Sequence, residues 1–162
     1  MIDMKKINTL VDLIRSEDWR AAHAMLDEEE FADPGEATVA YWRSVVLRDE
    51  GRYQEALKYL ADNQHRFNCQ SGVAHKRAWI FHLIGNDTSA LSEIALAPFD
   101  AEIEDFYGLV MEAKFFRLYL MILTGLPISA EQLAEIPDDY ISLFPTGERI
   151  PKTKLFSLAQ RG

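Results

Sequence analysis

Three arginines with a common spacing are the first residues whose type and position could do chemistry. Arg43, Arg77 and Arg117 each lie eight residues before a glycine. A planar guanidinium group can hold a carboxylate through two parallel hydrogen bonds, so three arginines in register could hold carboxylates of a partner. The alternative is that each arginine pairs with a carboxylate of its own or the next helical hairpin, while its stem covers apolar surface. We favour this structural interpretation of the arginine ladder.

A cysteine and three histidines are the other candidates for catalysis or metal binding. Cys69 lies near His65 and His75 in the sequence, with His82 one helix face away. Such neighbours can be a nucleophile and its base, or metal ligands. However, their spacings match no zinc pattern, and the sequence has no Gly-rich phosphate loop, no His-Glu-x-x-His and no Gly-x-Ser-x-Gly. We therefore predict no enzyme activity, no catalytic residue, no metal and no cofactor.

The charge balance bears on the partner. Seventeen basic and 26 acidic residues give a net charge of −9. An acidic surface repels phosphate backbones, so we expect no nucleic acid partner, whereas it would attract a basic protein. The alternative is that negative charge only keeps the protein soluble. The clusters Glu28–Glu30 and Asp138–Asp139 can likewise be solvated helix ends and turns, or a patch for a basic partner.

Cysteine content and hydropathy predict a cytoplasmic protein. Cys69 is the only cysteine, so no internal disulfide can form, which fits a reducing compartment. The N-terminus has no apolar core of a secretory signal. The most apolar run, Leu118 to Leu123, is far too short to span a bilayer, so we expect no membrane partner.

A period of 34 residues organises the elements that would position these side chains. Ala22, Ala56 and Ala90 are 34 residues apart. The same interval relates Leu26, Leu60 and Ile94, and it relates Gly51 to Gly85. A fixed period of this length is typical of a two-helix repeat. The small alanines are expected where the two helices of a hairpin approach most closely.

Apolar periodicity predicts a helix in each half of every repeat. The first three helices are expected at about 4–15, 18–30 and 36–50, and the fourth begins near Tyr53. The next three are expected at about 72–84, 87–96 and 104–124. An insertion is expected between Pro98 and Ile103, and Ser129 with Gln132 predicts a capping box for a short eighth helix. The tail, which follows no repeat, predicts an extended piece at 140–144, a turn at 145–147 and a last helix through Arg161.

These residues resemble the tetratricopeptide (TPR) repeat family. Gly51, Tyr53, Ala56, Leu57 and Leu60 match its Gly-x-Tyr-x-x-Ala-Leu signature closely. The preceding unit matches through Trp19, Ala22 and Leu26, with Glu17 in place of the glycine, and the following unit matches more loosely through Gly85, Ala90, Leu91 and Ile94. The first helix of each unit departs from the family because its large aromatic residue and Leu-Gly pair are missing.

The resemblance implies an all-α fold, namely a right-handed α-α superhelix of about three to four antiparallel hairpins with a short irregular C-terminal tail. We predict a single domain over residues 1–162. Residues 3–97 form three TPR-like hairpins, residues 98–136 a displaced fourth hairpin with a long buried helix, and residues 137–162 the tail.

In this family the first helices line a concave groove that commonly binds peptides or helices. The resemblance assigns that groove here to Ile7, Val11, Ile14, Tyr41, Val45, Arg48, His75, Trp79 and His82. An apolar and aromatic row suits an amphipathic helix or an extended segment. The alternative is that the tail after Pro137, or the long seventh helix, folds back and fills the row. The sequence leaves both open.

The expected function is therefore to bind and mask one cognate protein. Small acidic helical proteins of this kind resemble bacterial immunity proteins, which cover a basic toxin. Two alternatives are a type III-like secretion chaperone that holds an amphipathic helix of its client, and a general TPR adaptor; an enzyme ranks last. A homodimer is a further alternative for the partner.

Overall fold

A computed structural model describes residues 2–161, with the side chains of the last helix described only at 152–155 and 157. This part of the chain holds ten α-helices and a single two-stranded sheet, which confirms the all-α class. It divides into two compact units, Met1–Asn68 and Cys69–Gly162. The right-handed superhelix and the single domain stay predictions.

The first unit consists of two helical hairpins built around a small apolar core. Its α-helices are α1 (Met4–Arg15), α2 (Trp19–Ala32), α3 (Ala37–Asp49) and α4 (Tyr53–Asp62), and a 3-10 helix follows at Gln64–Arg66. Aspartates begin the first two: Asp3 accepts the Lys6 N–H at 2.8 Å and Asp18 accepts the Ala21 N–H at 3.1 Å. The buried core cluster is formed by Leu10, Ala22, Leu26, Val39 and Val46.

The 34-residue period is visible in the backbone conformation of the turns. Glu17, Gly51 and Gly85 are left-handed, with φ of 58°, 83° and 85°. In each case the next N–H bonds back to a carbonyl five residues earlier, as Asp18 N does to Leu13 O at 2.9 Å. This Schellman arrangement needs a left-handed residue after the helix, which glycine adopts without a steric penalty. Gly125, with φ of 73°, makes the same kind of turn, with Leu126 N bonded to Met121 O at 2.8 Å.

Because Glu17 is held left-handed, we expect Glu17→Gly to raise the free energy of unfolding by about 0.5–1 kcal/mol. Ser16 has a φ of −86°, so Ser16→Gly relieves no strain and should lower the free energy of unfolding. Chemical denaturation of both variants beside the wild type measures the difference. If both variants lose the same free energy of unfolding, the backbone at Glu17 is not strained.

The repeated alanines lie where helices meet. Ala22, Ala56 and Ala90 are all 0% exposed, which confirms that they face neighbouring helices. A longer side chain there would have to displace packed atoms. Within each unit, neighbouring helices therefore meet at the positions that the sequence period selected.

The second unit begins with a helical hairpin whose first turn is capped from the inserted segment. The hairpin is α5 (Gln70–Leu83) and α6 (Asp87–Ala95), and the insertion forms a short helix, α7 (Phe99–Glu102). The Glu102 carboxylate accepts the Gln70 N–H at 2.6 Å, the Ser71 N–H at 2.7 Å and the Ser71 hydroxyl at 2.6 Å. Burial alone would raise the pKa of Glu102, but these hydrogen bonds lower it. The insertion thus supplies the negative charge at the start of α5.

The long helix α8 (Tyr107–Leu123) packs on α5, α6 and α7. Eight of its residues are buried: Val110, Met111, Ala113, Lys114, Phe115, Phe116, Leu118 and Leu120. The short α9 (Ala130–Ala134) follows, and the predicted capping box of Ser129 and Gln132 is confirmed. α8 therefore forms the centre of the second core.

The tail is regular rather than irregular. It forms the antiparallel strands β1 (Ile141–Leu143) and β2 (Arg149–Pro151), joined by the predicted turn, and then α10 (Lys152–Arg161). Its buried residues Phe144, Ile150 and Leu155 belong to the core of the second unit. This apolar surface, together with hydrogen bonds to Glu112, fixes the tail to α8.

Polar contacts anchor the tail next to β1 and just after β2. Glu112 of α8 accepts hydrogen bonds from the hydroxyls of Tyr140 and Ser142. Burial, reinforced by that hydrogen bond, raises the pKa of Tyr140, so its phenol stays a proton donor. The ammonium group of Lys152, whose side chain is 3% exposed, donates to the Ile136 carbonyl at 2.6 Å and to Asp138 at 2.8 Å.

Candidate protein-binding surface and ionic pocket

Two members of the arginine ladder form ion pairs within their own units. Arg43 of α3 donates to Asp27 of α2 and also lies 2.9 Å from His23 Nδ1. Arg77 of α5 pairs with both carboxylate oxygens of Glu93 on α6, at 3.0 and 3.1 Å. Arg43 thus joins two neighbouring hairpins of the first unit, and Arg77 joins the two helices of one hairpin. Both are the structural role that we favoured for the ladder.

The predicted groove residues of the first unit differ in their exposure to solvent. They are Ile7, Val11, Ile14, Tyr41, Val45 and Arg48. Tyr41 is 40% exposed and meets Trp42 edge-on at 5.2 Å between ring centroids. Val45 is 8% exposed, and Arg48 pairs with Asp49 at 2.8 Å. The three α1 residues are partly buried, so Tyr41 is the most exposed member of this row.

The groove residues of the second unit lie under α8 and the tail. Trp79 is 4% exposed, with its ring 5.0 Å from Phe116 and 5.3 Å from Phe144. His75 and His82 also lie against Phe116, at 5.3 and 5.8 Å. Trp79 is therefore a core residue and not part of an open surface. In the second unit, α8 and the tail therefore cover the predicted groove residues, as the alternative interpretation expected.

The cysteine and histidine candidates do not come together as a reactive site. Cys69 is buried and caps α5, with its Sγ 3.4 Å from the Gly72 nitrogen. Burial raises the pKa of its thiol, which disfavours the nucleophilic thiolate. His82 pairs with Asp87 at 2.6 Å. Within the described residues, no group of three His, Cys, Asp or Glu side chains could hold a metal ion.

The acidic clusters that stood out in the sequence are partly used inside the fold. Glu29 is buried and pairs with Lys6, while Glu30 pairs with Arg66 at 2.8 Å. Asp138 pairs with Lys152. Three of these five carboxylates, those of Glu29, Glu30 and Asp138, are therefore paired locally.

A different acidic region is exposed in the second unit. Residues 83–113 contain seven Asp and Glu residues and no Lys or Arg. From α7 to the first turn of α8, the side chains of Asp100, Glu104 and Asp105 are exposed and Tyr107 is 52% exposed. We call these four residues the acidic segment. We missed it in the sequence because its acids are scattered, and the signal that could have revealed it is the long interval without a basic residue.

The third arginine of the ladder lies in a pocket of about 420 Å³. Arg117 and Lys114 of α8 both lie over the ring of Phe99, at 5.1 and 5.8 Å from its centroid. Glu135 approaches both cations, at 2.9 Å from Lys114 Nζ and 3.8 Å from Arg117 Nη2. The walls are completed by Ala95, Ala97, Pro98, Asp100 and Ala101. The pocket thus combines two cations, an aromatic floor and small apolar side chains.

Every helix between residues 2 and 161 is too short or too polar to cross a bilayer. Comparison of the chain with protein-family models, with curated proteins and with solved structures gave no match in any of the three.

Proposed function

We propose that this chain is a non-enzymatic binding protein of the TPR-like helical-repeat class that masks one cognate basic protein. In its most specific form the proposal is a bacterial immunity protein that neutralises a basic toxin in the cytoplasm. The observation that carries it is the acidic segment, where Glu104 and Asp105 are exposed beside the half-exposed ring of Tyr107. The left-handed turns at intervals of 34 residues support the repeat class.

The acidic segment has the two properties that a binder of a basic protein needs. Its carboxylates, on a chain of net charge −9, would steer a positively charged partner and speed the encounter. Tyr107 supplies a large, rigid side chain of the kind that dominates binding energy at interfaces. Charge would thus set the association rate, and the tyrosine would slow dissociation.

Two features favour masking over the secretion-chaperone alternative. A chaperone of that kind needs an open apolar groove, whereas Trp79 is covered by Phe116 and Phe144. The exposed residues of the acidic segment are charged and aromatic, which suits a basic protein surface better than an amphipathic helix. A non-enzymatic role accords with the raised pKa of the Cys69 thiol.

The test is affinity capture from the organism that encodes the chain, with matched variants. The first bait carries Glu104→Lys, Asp105→Lys and Tyr107→Ala. The control bait changes the same chemistry elsewhere, with Glu28→Lys and Phe31→Ala, since Phe31 is 90% exposed and Glu28 is exposed. We expect the wild type and the control to capture one basic protein, and the first bait to lose it.

Binding of the purified partner then measures the two contributions separately. Tyr107→Ala should weaken the affinity about tenfold or more. The charge reversals should chiefly slow association, and wild-type association should slow as salt is raised. Expression of the partner alone should arrest growth, and co-expression of the chain should restore it. If the partner is acidic, or if association is independent of salt, the masking proposal is wrong.

A further inference from the structure

We propose that the pocket between α7 and α8 binds a small organic carboxylate, with Lys114 and Arg117 holding the anionic head and the apolar walls holding its body. This inference goes beyond the masking of a protein and does not depend on it. It rests on an excess of positive charge at the buried end of the pocket, an unsatisfied buried donor and a cavity large enough for a ligand.

The two cations of the pocket share one carboxylate. The Lys114 side chain is 8% exposed, and its ammonium group meets Glu135 Oε2 at 2.9 Å. The same oxygen lies 3.8 Å from Arg117 Nη2, which is too long for a hydrogen bond. Asp100 also lines the cavity, but it is exposed, and no ion pair joins it to either cation within the described residues. At the buried end the pocket therefore carries two positive charges against one negative charge.

Arg117 also has a buried donor without an acceptor. In the part of the chain that the structure describes, its Nε is one of two buried side-chain nitrogens with no hydrogen-bond partner. A buried donor left unsatisfied is destabilising. The guanidinium group of Arg117 can bind a carboxylate through two parallel hydrogen bonds. The ammonium group of Lys114 can donate three hydrogen bonds. A second carboxylate would thus supply acceptors that Glu135 alone does not provide.

The cavity itself indicates the rest of the ligand. Its volume of about 420 Å³ lies within the range of small-molecule sites, roughly 300–1,000 Å³. The walls of Ala95, Ala97, Pro98 and Ala101 are small and apolar, which leaves room for an apolar body. The Phe99 ring forms the floor beneath both cations. A carboxylate is the favoured head group because the carboxylate of Glu135 already pairs with Lys114 there.

Glu135 sets how tightly such a ligand could bind. Its side chain is 41% exposed and lies at the end of the short helix α9, so it can give way more easily than the buried lysine. A ligand carboxylate would compete with it for the two cations. Removing the negative charge of Glu135 should therefore strengthen binding, whereas removing either cation should weaken it.

Titration of the full chain with benzoate, followed by ¹H–¹⁵N NMR spectra and calorimetry, tests the proposal. We expect saturable binding at one site, with the largest shifts at residues 95–101 and 114–117. Benzyl alcohol has the same apolar body without the charge, and inorganic phosphate is an anion without the body, so both should bind at least about tenfold more weakly.

Three variants and a control assign the binding to the pocket. Glu135→Gln should bind benzoate about tenfold more tightly, and Lys114→Met and Arg117→Gln should each bind it about tenfold more weakly. Lys154→Met removes a 49% exposed lysine of the same unit and should leave the affinity unchanged. Circular dichroism checks that each variant is folded.

The proposal is overturned if neither the wild type nor Glu135→Gln shows saturable binding of benzoate. It is also overturned if benzyl alcohol or phosphate binds as tightly, or if Arg117→Gln, when folded, binds with unchanged affinity. Because Glu135 is partly exposed, its variant keeps the test decisive even where Lys114→Met fails to fold. None of these outcomes depends on whether the chain masks a protein.

Discussion

Phe144→Ala is expected to lower the free energy of unfolding of the second unit by about 3–5 kcal/mol. The Phe144 ring is 5% exposed, and its centroid lies 5.3 Å from that of Trp79, 5.8 Å from Phe116 and 5.1 Å from Tyr119. Truncation would remove these contacts and leave a cavity that packed neighbours can fill only in part. The loss would also weaken the attachment of the tail to α8.

Chemical denaturation followed by tryptophan fluorescence measures this effect, since Trp79 touches the deleted ring. The adjacent Leu143 is 58% exposed, so Leu143→Ala serves as the matched control, with an expected change within about 0.5 kcal/mol. If both variants unfold at the wild-type midpoint, the tail is not part of the core.

Ala56→Leu is expected to lower the free energy of unfolding of the first unit by about 1–3 kcal/mol. Ala56 is 0% exposed on α4, the helix that packs on α3. Three additional carbons at this position would force the helices apart or drive side chains from their preferred rotamers.

The control for this variant lies five residues further along the same helix. Ala61 is exposed, so Ala61→Leu makes the same chemical change without meeting packed atoms. Thermal melts of the two variants, followed by circular dichroism, give the comparison. Equal melting temperatures would show that the size of the side chain at position 56 does not limit the approach of the helices.

The sequence contained most of the local structure of the helices. Apolar periodicity located α1 at its observed bounds, and Gly51 predicted a left-handed turn because only glycine enters that conformation cheaply. Glu17 adopts the same left-handed conformation although it is not glycine. The repeated turn therefore overrides the conformational preference of this residue.

Long-range placement could not be predicted from the same signals. Trp79 lies on a helix with apolar residues on several sides, and periodicity does not say whether another element covers it. Phe144, which covers it, comes from a tail outside the repeat. Likewise, the caps that Glu102 supplies to α5 join residues more than thirty positions apart. Such contacts depend on tertiary packing, which a local sequence pattern does not predict.

The candidate sites show the same division. The spacing of Arg117 marked it as unusual, but its neighbours Lys114, Phe99 and Glu135 come from three separate elements. The sequence could therefore select the residue without revealing the pocket. The acidic segment needed exposure as well as charge, and only the structure distinguishes Glu104 from the buried Glu29.

The position of Leu155 has a consequence for synthesis on the ribosome. The apolar cluster of the first unit draws on residues 10 to 46, so all its members leave the ribosome before any residue of the second unit. The core of the second unit includes Leu155, which is 0% exposed and close to the C-terminus of this sequence. Because domains fold as units once their residues are available, the second unit must wait for its last helix to leave the exit tunnel. Until then the apolar residues of α8 lack the contacts that Leu155 completes in the folded core.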